Sequence, residues 1–247
     1  MGAPAIFFSP HRDDETLLQG VEIGRHVTAG RPVTVVCASD GSQTSAGAVL
    51  DGTVVCAVHG YTHDPAAEGR TQMTAASLSA ARQAEMASAC AALRVSELID
   101  GSVPDDELTV GVWRAILLEH EHRATPDSSV FVPTPWETTS GLGNANHGNA
   151  GVAMQQLKAD GHYGGVWVAY TVWSRYWSTP GCPTGLTRGP GTAQERARLL
   201  AAADAYRAWS PHAGALGIGW CHSVPTDFNE QFVDAASPRF LQGRYHI

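Results

Sequence analysis

Short unalternating apolar runs alternate along this chain with longer stretches whose apolar residues recur at helical spacing. Ala5-Ile6-Phe7-Phe8-Ser9 predicts a first strand, and after a polar cluster the pattern from about Thr16 to Thr28 predicts a helix closed by Gly30. Val33 to Ala38 is a second β-branched run, as expected of a strand covered on both faces of a parallel sheet, and it ends at Ser39-Asp40-Gly41. The same rhythm continues with a helix over Ala75 to Leu93, a short strand at Leu98-Ile99, and a helix from Val110 to His122. Then come a strand at Val130 to Val132, a helix from Gly148 to about Lys158, and a last strand from Gly165 to Val172. A βαβα order of this kind predicts an α/β fold with a Rossmann-like, mostly parallel sheet flanked by helices. With no repeat and no break in composition, residues 1–247 read as a single domain.

Two segments do not fit the rhythm. Residues 41–74, rich in Gly, Ala, Ser and Thr, predict a long excursion with one hairpin at Asp51-Gly52. Residues 178–192, dense in Pro and Gly, predict a mobile loop that ends in the capping box Thr192-Ala193-Gln194-Glu195. The helix that follows should reach Trp209 and stop at Ser210-Pro211.

Charge narrows the range of partners. The 24 acidic residues against 16 basic ones give a net charge of -8, which would repel a phosphate backbone, so no nucleic-acid partner is expected. No run approaches the ~20 apolar residues of a spanning helix, and the first ten residues lack the features of a signal peptide. A soluble, cytoplasmic protein without a membrane span is the expectation. The five scattered cysteines contain no Cys-x-x-Cys pair and read as small core residues, not as a disulfide framework or a zinc knuckle.

The chemistry concentrates in Pro10-His11-Arg12-Asp13-Asp14-Glu15, where the first strand ends and the first helix begins. Ligands of open α/β sheets collect at that end of the strands. Attraction of acidic groups to the helix dipole accounts for Asp14 and Glu15 but gives no reason for His11. The segment resembles the PIG-L/LmbE-like family of zinc-dependent N-deacetylases, whose fingerprint is His-Pro-Asp-Asp-Glu after the first strand. Four of these five positions match, and Arg12 replaces the proline. The family's second motif, His-Pro-Asp-His followed by a glycine, has its counterpart in Asn144-Ala145-Asn146-His147 with Gly148 and Gly151. Ser39-Asp40-Gly41, Arg82, Glu85 and Pro104-Asp105 are smaller echoes, so that the resemblance spans residues 5 to about 170.

That resemblance implies His11, Asp14 and His147 as ligands of a Zn²⁺ ion, Asp13 as general base, and Asp105 near a substrate hydroxyl. Two imidazoles and one carboxylate leave an open coordination position, as in catalytic zinc sites. Asn144 stands where the family has a histidine that polarises the substrate carbonyl. An amide there can still donate to an oxyanion, with His222 as another source of the electrophile. The expected function is removal of an N-acyl, above all N-acetyl, group from an amino sugar or glycosylated metabolite. A mycothiol-conjugate-type amidase and an inactive metal- or carbohydrate-binding relative are the alternatives.

Other groups read more plainly. His59 and His63, four apart with Asp64 beside them, have the spacing of ligands on a helix, but Gly60 and its neighbours predict a loop. His120 and His122 are expected to be solvated. In the aromatic run Trp167, Tyr170, Trp173, Tyr176 and Trp177, core packing competes with stacking on substrate, and Trp173 is the candidate contact.

Overall fold

A computed structural model describes residues 2–43, 45–141, 143–172, 179–183, 186–223 and 242–246, with backbone alone at 186–188, 222–223 and 242–246. In chain order the elements are β1 (Ala5–Ser9), α1 (Asp14–Leu17), α2 (Gly20–Thr28), β2 (Val33–Cys37), α3 (Ala46–Leu50), α4 (Ala75–Leu93) and β3 (Glu97–Ile99). They continue through α5 (Val110–His120), β4 (Ser129–Pro133), α6 (Trp136–Thr139), α7 (Ala145–Ala159), β5 (Trp167–Val172), β6 (Leu186–Arg188) and α8 (Ala193–Arg207). The last four are β7 (Trp209–Ser210), β8 (Ala215–Leu216), α9 (Ile218–Ser223) and β9 (Gln242–His246).

The main sheet runs β3-β2-β1-β4-β5-β9-β6, parallel through its first five strands and antiparallel at β9 and β6. In β1, Ala5 and Phe7 point into one core, shared with Leu18, Ile23, Met86, Leu199 and Tyr206; Ile6 and Phe8 point into the other, with Trp113, Met154 and Leu157. This two-residue alternation explains why β1 reads as an unbroken apolar run: both faces are covered. Phe7 stacks on Phe131 of β4 with ring centroids 4.4 Å apart. The chain passes from β1 outward through β2 and β3, then returns to the other side of β1 at β4. A topological switch therefore lies between β1 and β4, and the crevice at their carboxyl ends is the place for a ligand.

Several expectations need correction. The helix from Thr16 to Thr28 is two, broken at Leu18-Gln19. Buried Gln19 turns its side chain back to the end of β1, donating to the Phe8 carbonyl at 2.9 Å and accepting from the Ser9 hydroxyl at 2.9 Å. Asp51-Gly52 is no hairpin but the end of α3, with Gly52 at φ 77; a Cβ there would lie 2.2 Å from the His63 carbonyl oxygen. His120 is buried against the Phe8 ring, while His122 is solvated as expected. Within 178–192, residues 186–188 form a strand paired with β9, an edge that apolar periodicity did not signal. The start signal holds, with Thr192 and Glu195 forming the reciprocal box at the start of α8, but the helix ends at Arg207 and does not reach Trp209, which lies in the short strand β7 and pairs with Leu216. No helix among the described residues is long and apolar enough to cross a membrane.

Candidate metal centre and active site

The turn after β1 and the start of α7 bring three donors together in the crevice beside the switch. His11 Nδ1 lies 3.2 Å from Asp14 Oδ2 and 3.1 Å from His147 Nε2, and His147 Nε2 is 3.2 Å from the same carboxylate oxygen. Around a tetrahedral ion with bonds of about 2.0–2.1 Å, ligand atoms stand about 3.3 Å apart. The three donors are thus spaced as one face of such a polyhedron, and a divalent cation fits them. Asp14 and His147 are buried and His11 is half-buried, which leaves one open side. Burial opposes ionisation of Asp14, but the two imidazoles hold its carboxyl well below the usual range; burial likewise opposes a charged His147, yet Asp14 and Glu137 hold it well above.

Local sequence explains how these side chains are held. Asp13 makes no side-chain cap to α1 and Asp14 turns into the cluster, so the acidic run serves the site and not a helix dipole. Glu137 of α6, which sequence reasoning missed, is buried with its oxygens 3.4 and 3.3 Å from His147 Nδ1. A carboxylate on the far nitrogen fixes the imidazole's tautomer and aims Nε2 into the cluster. Its only sequence signal was an acidic residue in the loop between strand and ligand helix. Asn146 bridges His11 Nε2 at 3.1 Å and the Asp105 carbonyl at 2.9 Å through its amide, so it orients the first histidine. Gly148 and Gly151 let α7 approach the loop after β4; a Cβ at Gly148 would sit 2.0 Å from Thr138 Oγ1, and one at Gly151 2.3 Å from Pro135 N.

Asp13, the residue before Asp14, bonds to Arg82: its Oδ2 accepts from the guanidinium at 3.0 Å. Arg82 also donates to the Arg12 carbonyl at 2.6 Å and to Glu85 at 2.8 Å, and Glu85 in turn accepts from Ile218 N and Gly219 N at the start of α9. Arg82 is buried, and Asp13 and Glu85 hold its guanidinium charged against the effect of burial. Arg82→Ala is expected to destabilise the fold by about 3–5 kcal/mol, because two buried carboxylates lose their shared cation. Urea unfolding measures this, and a loss under about 1 kcal/mol would mean that solvent already serves them.

Arg12, standing where the resemblance calls for proline, is a buried staple. It donates to Ser79 O, to Asp100 Oδ2 at 2.9 Å and to Gly101 O at 3.3 Å, which ties the motif turn to α4 and to the end of β3. Glu15 is buried beneath the cluster, accepting from Thr16 Oγ1 at 2.6 Å and the Tyr206 hydroxyl at 2.7 Å; burial pushes its carboxyl up to about 8.

The remaining candidates divide. Asn144 is the N-cap of α7, its side-chain oxygen accepting from Asn146 N at 2.9 Å, and its own N–H donates to Glu137 at 3.0 Å. Asp105 lies beside Asn146 with Oδ1 buried and without a hydrogen-bond partner among the described residues. Trp173 and the side chain of His222 lie outside the described residues. A cleft of about 590 Å³ lined by His26, Arg31, Ser129 and Trp167 opens at the amino ends of the strands, away from the donors.

Residues 6–158 match the family model PIG-L, described as GlcNAc-PI de-N-acetylase. No curated protein matches the chain significantly in sequence. Among solved structures, the A40926 pseudoaglycone deacetylase Dbv21 is similar at 14% identity and a TM-score of 0.62, covering 100% of this chain and 98% of that one. The N,N'-diacetylchitobiose deacetylase from Pyrococcus horikoshii is similar at 14% identity and 0.58, over 99% of this chain and 83% of its own. GalB, the 4-carboxy-2-hydroxymuconate hydratase from Pseudomonas putida KT2440, is similar at 15% identity and 0.58, over 100% and 96%. At these identities the likeness is one of fold, and the fold carries more than one chemistry.

Proposed function

Because this chain belongs to the PIG-L family, we propose that it is a metal-dependent hydrolase that removes an N-acetyl group from an amino sugar or glycosylated small molecule. The observation that carries this reading is the His11–Asp14–His147 triad in the crevice at the carboxyl end of β1, with Asp13 immediately before Asp14 in the chain. His11, Asp14 and His147 would hold a zinc ion, which supplies polarisation of the amide carbonyl and a water whose pKa falls to about 7. Asp13 takes a proton as the water oxygen bonds to the carbonyl carbon. It returns that proton to the amide nitrogen as the C–N bond breaks, leaving acetate and a free amine. Asn144 offers its amide N–H to the carbonyl oxygen as negative charge develops there. Asp105, whose Oδ1 is buried, would meet a sugar hydroxyl only if the turn that covers it shifts. A sugar-type substrate is also what the family description and the names of the two deacetylases suggest. The same fold in a hydratase makes the donor set, not the architecture, the ground for proposing amide hydrolysis.

Amine release from a panel of N-acetylglucosaminides, with metal analysis alongside, tests this reading. His11→Ala, Asp14→Ala and His147→Ala should each lose one equivalent of bound zinc and all amine release. Unchanged metal content in all three would overturn the ligand assignment. Release of a larger acyl group in place of acetate would redirect the reading to an amidase, and absence of turnover with metal bound would leave a binding protein.

A further inference from the structure

The excursion between β2 and α4 carries a second cluster of metal-ligating side chains that the chemistry above does not use. Cys56 Sγ lies 3.4 Å from His59 Nδ1, and His59 Nδ1 lies 3.3 Å from His63 Nε2. The three donor atoms are all within 4.8 Å of one another. Cys221 of α9 adjoins them, its Sγ 3.9 Å from that of Cys56. Both thiols are free, and their separation is far beyond the ~2.05 Å of a disulfide.

The three shortest of these distances match edges of a tetrahedral zinc site, although Cys221 Sγ stands more than 4.8 Å from at least one of the histidine donors and would have to close in as a fourth ligand. With Zn–S bonds of about 2.3 Å and Zn–N bonds of about 2.0–2.1 Å, the edges come to about 3.8 Å for S···S, about 3.5 Å for S···N and about 3.3 Å for N···N. Hydrogen bonds alone account for the cluster less well. His63 Nδ1 is 2.6 Å from Glu68 Oε1, so its proton belongs on that side and Nε2 presents a lone pair inward. His59 Nδ1 faces both that lone pair and the Cys56 sulfur, and a single proton on it serves only one of the two. A cation at the centre satisfies all of them.

The setting is that of a closed structural site. Cys56 and His63 are buried, Trp209 covers His59 and His63 with ring centroids at 4.6 and 4.7 Å, and Arg70 holds Glu68 at 2.8 Å. A tight turn supplies the geometry that a helix would have given otherwise: Cys56 N donates to Tyr61 O, Gly60 N donates to Cys56 O, and Gly60 takes φ 74.

We propose that Cys56, His59, His63 and Cys221 form a second, structural zinc site that staples the β2–α4 excursion to α9. Binding exchanges two thiol protons for one Zn²⁺, with no change of oxidation state. The site is independent of the proposed hydrolase centre, whose donor set contains no sulfur, and that difference provides the test.

Wild-type protein purified under reducing conditions should hold two equivalents of zinc. X-ray absorption at the zinc edge should show sulfur scatterers near 2.3 Å. Loaded with Co²⁺, it should display a thiolate-to-cobalt absorption in the near ultraviolet. Cys56→Ser and Cys221→Ser should each weaken or abolish that band, whereas His147→Ala should keep it while losing the other equivalent. A wild-type protein with neither the sulfur shell nor the band would overturn the site, whatever the variants do. A band unchanged in Cys221→Ser would overturn the four-ligand assignment, and a Cys56–Cys221 disulfide persisting in metal-free native protein would replace it.

Discussion

Replacing Asp13 by asparagine is expected to lower amine release by about 10²–10⁴-fold while zinc content stays at the wild-type level. The substitution preserves shape and keeps an oxygen that can accept from Arg82, whose other partner Glu85 is untouched. What disappears is a group able to take the proton from water and return it to the leaving nitrogen. Turnover by Asp13→Asn, measured under substrate saturation together with metal content, checks the assignment. Loss of metal along with activity would mean that Asp13 and Asp14 have exchanged roles.

For Asn144 the expected loss is about 10²–10³-fold in turnover on substitution by alanine, the scale of one oxyanion donor. The structure adds a second consequence, because the same side chain caps α7 through its oxygen. Asn144→Ala should therefore also lower stability by about 1 kcal/mol. Asn144→Asp separates the two effects. It keeps the capping oxygen, so stability should hold, but it sets an acceptor-only carboxylate against developing negative charge, so turnover should fall at least as far. Paired measurements of unfolding and rate distinguish the roles. A change in turnover under about threefold in Asn144→Ala would assign Asn144 to the helix cap alone.

Much of this site could be read from the chain because its key residues are local to the turn after β1. His11, Asp13 and Asp14 sit within four positions, and a buried strand before them is unmistakable when both of its faces are covered. What escaped reading depended on side chains that reach across the fold. Glu137 is ten residues from the histidine it orients, and nothing in a short acidic helix announces that contact. Gln19 breaks a helix whose apolar spacing runs straight through it, because its amide satisfies the end of β1 better than another helical turn would. Asp51-Gly52 has the composition of a hairpin turn, but the residues flanking it pack as a helix and a loop around His63. The histidines of the excursion have helical ligand spacing in a segment without a helix, and the turn that brings them together leaves no trace in sequence spacing. The antiparallel strands β9 and β6, at the far side of the sheet, lie where neither apolar run nor alternation marks a strand.

The bond from Tyr206 to Glu15 closes a loop of 191 residues, and the contact between His11 and His147 closes one of 136. Contacts of such long range must form against loop-closure entropy, which rises by about 0.6 kcal/mol with each doubling of length, and chains dominated by them fold slowly. The first motif lies far along the chain from both partners, so its buried carboxyl waits for α8 and its histidine for α7. The floor of the crevice is therefore completed only after helices distant in the chain have docked on the turn after β1. Until then the folding chain carries a cluster of acidic groups and an imidazole with no walls around them, and activity should appear only once both α7 and α8 have docked.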